Sequence, residues 1–279
     1  MTIAGDLRAF AAAMRKELRV MRRYPILFFG SLFWPVMLPA VWVIVGQAYS
    51  GNGDARALAA FSDRAGTSQI AGFVFIGYAI FMWLSTLLWG PGTALRQEQV
   101  RGSLEAVFLT PASRLVPLFA PPIAHLPFIA LDFLIMYVAL WLLFGLMLPL
   151  DAVLRAIVVI AVAIPVMYAI GSLFAAFVLR IGEVGPVVQL VRGTFVLACG
   201  ITYPVAMLPG WAQAGAAVLP PTYIVADLRS VLLRSSPLAA VAGDLGLLLV
   251  MAAVATLGAV AVFRIVERGA RRAGTLGRF

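Results

Sequence analysis

Gln97 to Arg114 reads Q-E-Q-V-R-G-S-L-E-A-V-F-L-T-P-A-S-R, the most polar internal segment of the chain, with a long apolar run on each side. Ser103, after Gly102, is placed to cap a short helix that carries Leu104, Val107 and Phe108 on one face. Thr110-Pro111 ends that helix, because the residue before a proline avoids helical geometry. Glu98, Arg101 and Glu105 flank the apolar face, which is too small to hold the helix in lipid. It suits a groove on another protein. A solvated loop between two apolar runs is the other physical reading.

Those runs set the class. Of 279 residues, 63% are hydrophobic and 12% charged, against about 25% charged in a typical soluble domain. With a mean hydropathy of +1.01, the chain has too little polar surface to face water on all sides. An all-α, polytopic integral membrane protein is expected. Six runs reach the roughly 20 residues that a helix needs to cross a bilayer core: about 26–46, 70–90, 118–147, 153–178, 186–206 and 239–263. Pro35 and Pro39 in the first run, and Pro117, Pro121, Pro122 and Pro127 at the start of the third, predict bends or irregular starts. Ala252, Ala255, Gly258 and Ala259 suit close helix approach in the last. All 279 residues are read as one transmembrane domain.

Lys and Arg lie in short clusters between the runs, a distribution that sets topology and does not track a nucleic-acid backbone. With the N-terminus inside, 16 basic residues fall on inner segments and 5 on outer ones. Both termini and the segment Gln97–Arg114 are therefore expected in the cytoplasm. Residues 5–24 put Leu7, Phe10, Met14, Leu18 and Met21 on one helical face beside Arg8, Arg15, Lys16, Arg19, Arg22 and Arg23. This fits an interfacial helix against anionic lipid; a soluble helix on a partner is the alternative. On the outer side, residues 47–69 read as a Gly-containing polar loop. Residues 204–238 are apolar but broken at Pro204, Pro209-Gly210, Pro220-Pro221 and Pro237. The pieces between, 211–219 and 222–234, are too short to cross and read as a re-entrant hairpin or as a loop lying on the headgroups.

Ionisable residues inside apolar runs are rare. Asp132 lies mid-run in the third span, where a carboxylate faces a cavity or a neighbouring helix. His125, the one histidine, precedes it by seven residues. Asp244 sits near the outer end of the last span. Gln189 and Arg192 share a face of the fifth, where Arg192 can snorkel to the interface. Phe73, Phe75, Tyr78, Phe81, Trp83 and Trp89 line span two, as packing residues or, for Phe81 and Trp83 with Asp132, as a path for apolar cargo. Cys199, the one cysteine, reads as a small buried hydrophobe. One His, one Cys and scattered carboxylates build neither a metal site nor a catalytic triad. Lys16 is the only lysine and Glu17 follows it, so the chain holds no G-x-x-x-x-G-K-[ST] phosphate loop.

Glu98, Arg101-Gly102-Ser103-Leu104-Glu105, Val107 and Thr110-Pro111 resemble the E-x-x-R-G-T-L-E-x-L-x-x-T-P pattern of type-2 ABC exporter permeases. Daunorubicin-resistance and nodulation-factor permeases belong to that family. Leu219-Pro220-Pro221-Thr222-Tyr223 and Asp227-Leu228-Arg229 are similar to its N-P-x-T-Y-x-x-x-x-L-R stretch before the last span. Gln97 and Val100 stand where an arginine and a second glutamate are common, and Pro220 where asparagine is. The resemblance implies two permeases, a homodimer or a pair with a sister chain, seated on two cytoplasmic ATPase subunits that hold ATP and magnesium. Gln97–Pro111, with Phe108, would be the coupling helix. The 204–238 hairpin, with Pro209, Pro220, Pro221, Tyr223 and Arg229, would gate the outer face. The implied setting is a bacterial-type inner membrane. The implied cargo is an amphipathic or lipid-like small molecule such as a drug, antibiotic or glycolipid. Polysaccharide exporters share the architecture, and a proton-coupled transporter using Asp132 and His125 is the alternative from another class.

Overall fold

The computed structural model describes the main chain of residues 25–49, 55–90, 125–181 and 184–272, with isolated positions within 8–23, 93–100 and 118–123. All the described elements are helices: α1 (Pro25–Tyr49), α2 (Ala55–Ala65), α3 (Ile70–Trp89), α4 (Leu126–Phe144), α5 (Leu150–Ile181), α6 (Gly185–Ala198), α7 (Gly210–Ala216), α8 (Pro220–Leu233) and α9 (Leu238–Arg272). Among the described residues four helices, those containing α3, α4, α5 and α9, are long and apolar enough to cross a membrane. The bent pair α7–α8 makes up to five.

The organising element is α3. Its sequence is apolar around the whole circumference, the pattern of a helix buried on every side. Fourteen of its 20 residues are buried, and α1, α4, α5, α6 and α8 all pack on it. The opposite holds outside. Trp34 and Trp42 of α1, Leu142 of α4, Leu190 of α6 and Leu257 of α9 are exposed. An apolar surface on helices from across the bundle has no place in water. It fits lipid.

The longest seam joins α5 and α9. Buried Ala152, Ala156, Val159, Ala163 and Val166 on α5 repeat at spacings of four and three, and Val241, Leu248, Ala252, Ala259 and Phe263 on α9 at seven and four. Both are stripes of the coiled-coil type, and their alanines let the backbones approach. Ala259, fully buried, sits in the seam, whereas a Cβ on Gly258 would meet nothing within 4 Å. Ala259→Leu should therefore overpack the seam and cost about 1–3 kcal/mol. The check is a fall in the melting midpoint of the detergent-solubilised chain, with Gly258→Ala leaving it unchanged or higher.

The helix ends sort into two groups. At one end, a Cβ on Gly72 at the start of α3 would stand 2.7 Å from Leu233 and 2.9 Å from Leu146, and one on Gly66 3.2 Å from Arg234 Nη1. This end therefore gathers the α2–α3 turn, the α4–α5 turn and the close of α8. At the other end, a Cβ on Gly90 would stand 3.0 Å from His125 Nε2. There too, Leu118 packs with Ala175 and Ala176 of α5 and Phe263 of α9. The two flanks of Gln97–Arg114 thus meet at the end opposite the hairpin.

The elements match the sequence reading in part. The expected loop 47–69 contains α2, because A-R-A-L-A-A-F-S-D-R-A is rich in the best helix former and amphipathic at the helical period. The third run has the irregular start its prolines predict, its described continuous helix beginning at Leu126, past Pro117, Pro121 and Pro122 and with Pro127 in the first turn. The helix of the first run continues through Pro35 and Pro39 without interruption. The fifth run is not a span-length helix. α6 stops at Ala198, 14 residues long, about 21 Å against a bilayer core of about 30 Å. Gly200 ends it in the left-handed region at φ +66, a backbone turn that hydropathy cannot register.

Candidate functional site

Where α6 stops, the hairpin takes over. Pro209 stands extended before α7, and Leu219 extended before Pro220 and Pro221, which open α8. Proline in the first helical turn loses no intrahelical bond, so each break also starts the next helix. The two helices meet at 90°. Thr222 Oγ1 donates to Ala216 O and Tyr223 Oη to Ala217 O, each at 2.8 Å. Both acceptors are carbonyls at the end of α7 that the helix itself leaves unpaired. Gln213 Nε2 donates to Leu208 O at 2.8 Å and closes the entry to α7. The bend is fixed by these side chains.

Arg229 anchors the hairpin to the bundle. Its Nε and Nη2 donate to Phe73 O at 3.1 and 2.8 Å, Nη1 to Gly200 O at 2.7 Å, and Nη2 also to Ile201 O at 2.8 Å. Its guanidinium lies 3.3 Å from the centroid of the Phe73 ring, a cation–π stack. Gly200 and Ile201 follow the C-terminus of α6, where orphan carbonyls and the helix dipole favour a cation. One side chain thus joins α8, the first turn of α3 and the end of α6. The junction needs Gly77, since a Cβ there would collide with Ile201 O and stand 2.7 Å from Arg229 Nη2. Sequence reasoning named Arg229 but missed Gly77 and Gly200. The available signal was a glycine in the middle of a fully apolar helix, which marks close backbone approach.

Other candidates are placed as follows. Glu98, Arg101, Gly102, Ser103, Leu104, Glu105, Val107, Phe108, Thr110 and Pro111 lie outside the described residues, as does the apolar face of the N-terminal helix. Val100 is helical and exposed, and Thr93 donates its hydroxyl to Trp89 O at 2.6 Å. Arg8, Arg15, Arg19 and Arg23 are helical and exposed. Asp132 is half-buried on α4. His125 stands before the first turn of α4, against Phe128 and the Gly90 turn. Phe81 and Trp83 face the interior of the helix bundle. Trp83, 2% exposed, packs edge-on to Phe133 and Tyr168. Phe81 carries the Arg192 guanidinium at 5.0 Å.

Arg192 itself corrects an expectation. It does not snorkel outward along α6 but crosses to α3, donating from Nε to Ser85 Oγ at 3.0 Å and from Nη1 to Gln189 Oε1 at 3.3 Å. Ser85 passes its own hydroxyl hydrogen to Phe81 O at 2.8 Å. A partner within reach inside the bundle satisfies the guanidinium better than a long climb to the interface would. Cys199 is fully buried, as read from the sequence.

An apolar exterior, helices long enough to span and a bent helix pair at one end define a multi-pass membrane protein. The ABC-2 type transporter family matches residues 8–233, and the chain belongs to that family. It is therefore the membrane permease component of an ABC transporter, a transmembrane part and not an ATPase, of a kind that works with ABC ATPase partners. No curated protein matches it.

Proposed function

We propose that the chain is the permease of an ATP-driven exporter that moves an amphipathic or lipid-like small molecule, such as a drug, antibiotic or glycolipid, outward across an inner membrane. The observation that carries this reading is the separation of two devices to opposite ends of one bundle. The flanks of the polar segment Gln97–Arg114 meet at one end, and the hairpin α7–α8, bent by 90°, closes the other. The basic-residue asymmetry of 16 to 5 puts the polar segment and both termini in the cytoplasm. There, Leu104, Val107 and Phe108 dock on an ATPase subunit, with Glu98, Arg101 and Glu105 around them. Two such subunits bind ATP and magnesium under two permease copies, and their closure pushes the coupling segment while the hairpin gates the outer face. Apolar helix surfaces suit cargo that partitions into lipid.

The test is mutational. Leu104→Asp and Glu105→Arg should abolish transport, or reduce it at least about tenfold, because the first puts a charge where the dock is apolar and the second a cation where the dock favours an anion. Membrane abundance should stay at the wild-type level. ATP hydrolysis by the assembled complex should no longer respond to transport. Normal transport in both variants would overturn the coupling assignment.

A further inference from the structure

At the hairpin end a cavity of about 380 Å³ opens between α2, the start of α3, the end of α6 and α8. Its volume falls within the roughly 300–1,000 Å³ range of small-molecule sites. Three arginines face it, Arg64, Arg229 and Arg234, against one carboxylate, Asp63. The rest of the wall includes Phe73, Val205 and Val225. Among the described residues, none of these three arginines forms an ion pair with a carboxylate, unlike Arg155, which meets Asp151 at 2.8 Å. Arg64 and Arg234 are exposed, and Gly66, at φ +67, folds the rim so that Arg234 lies against it. Arg229 is 7% exposed, and its four hydrogen bonds all go to neutral carbonyls. Its charge is held in place but not neutralised, and one of its five N–H donors is left over.

We propose that this cavity binds the phosphate of an anionic amphiphile. The planar fork of arginine matches phosphate oxygens. The low-dielectric wall behind Arg229 strengthens the positive field at the mouth. The apolar wall between the arginines receives the first carbons of the attached chain. The site lies within one protomer, and its ligand is assigned independently of the direction of transport. Failure here would leave the coupling reading to its own test.

The experiment uses the full chain in a neutral maltoside detergent, with binding followed by native mass spectrometry. Dioctanoyl phosphatidylglycerol should bind saturably and at least about tenfold tighter than zwitterionic dioctanoyl phosphatidylcholine, and more weakly when salt is raised to about 0.5 M. Arg64→Gln with Arg234→Gln should weaken binding by about tenfold or more. Arg64→Lys with Arg234→Lys should fall between wild type and the Gln variant, since an ammonium keeps the charge but lacks the fork. Both changes fall on exposed side chains, so an unchanged melting midpoint confirms that the fold is intact. Competition by inorganic phosphate would assign the site to the free anion, and its failure to compete would assign it to the lipid headgroup; either outcome supports a phosphate site. Equal binding of the two lipids, equal binding by wild type and the Gln variant, or no saturable binding of either anion would overturn the proposal.

Discussion

Arg229→Ala is expected to loosen the whole hairpin end of the bundle. The change removes four charge-assisted hydrogen bonds and the stack on Phe73. It also leaves the carbonyls of Phe73, Gly200 and Ile201 without that donor in an apolar setting. An unpaired buried carbonyl costs about 1–3 kcal/mol, and removing a desolvated cation returns part of that. The net loss should be on the order of 3 kcal/mol. At about 2–4 °C per kcal/mol for a chain of this size, the melting midpoint falls by roughly 6–12 °C. The chain carries its own reporter, because Cys199 is the single cysteine, is fully buried and directly precedes Gly200. Maleimide labelling of Cys199 in the folded protein should accelerate in Arg229→Ala. Arg229→Lys should fall between the two, since an ammonium reaches some of the carbonyls but lacks the fork that holds them together. Wild-type labelling and melting in Arg229→Ala would refute the clamp.

Gly77→Val should be at least as damaging, although the residue is neither charged nor polar. Its Cβ would occupy the place of Ile201 O. The obstacle is backbone, which cannot rotate aside as a side chain would. Either the end of α6 retreats from α3 or the two helices shear, and both moves break the Arg229 bonds. Overpacking of this kind costs about 1–3 kcal/mol where side chains can adjust, and more where they cannot. Gly171→Ala is the matched control, because its Cβ would meet Leu87 at an ordinary 3.5 Å. The two damaging changes act on one junction, so the double variant should lose much less than the sum of the single losses. Additive losses would mean that glycine and arginine act separately.

How much of this could be read from the chain depends on where each signal resides. The breaks around α7 and α8 were legible because proline acts locally: Pro209, Pro220 and Pro221 break and restart helices whatever surrounds them. The seam on α9 was partly legible, as Ala252 and Ala259 are buried there while Ala255 and Gly258 are only half-covered. The end of α6 was hidden, because the apolar run continues past it and only the sign of φ at Gly200 stops the helix. The role of Arg229 was hidden for another reason. Its partners are main-chain carbonyls, and no side chain announces them. Arg192 misled for a third reason, since its side-chain partner Ser85 lies 107 residues away in sequence. Phe81 and Trp83 show that an aromatic row in a span reads alike whether it faces a pathway or the packed interior.

The lengths of the helices have a mechanical consequence. α4 is 19 residues long, about 28 Å, close to a bilayer core of about 30 Å. The apolar stretches of α5 and α9 each have 29 residues, about 43 Å. They exceed the hydrophobic thickness by about 13 Å. Joined along their stripes, the two cannot relieve that mismatch separately. They lean or stand proud together, so a change in bilayer thickness loads the α5–α9 seam as one unit.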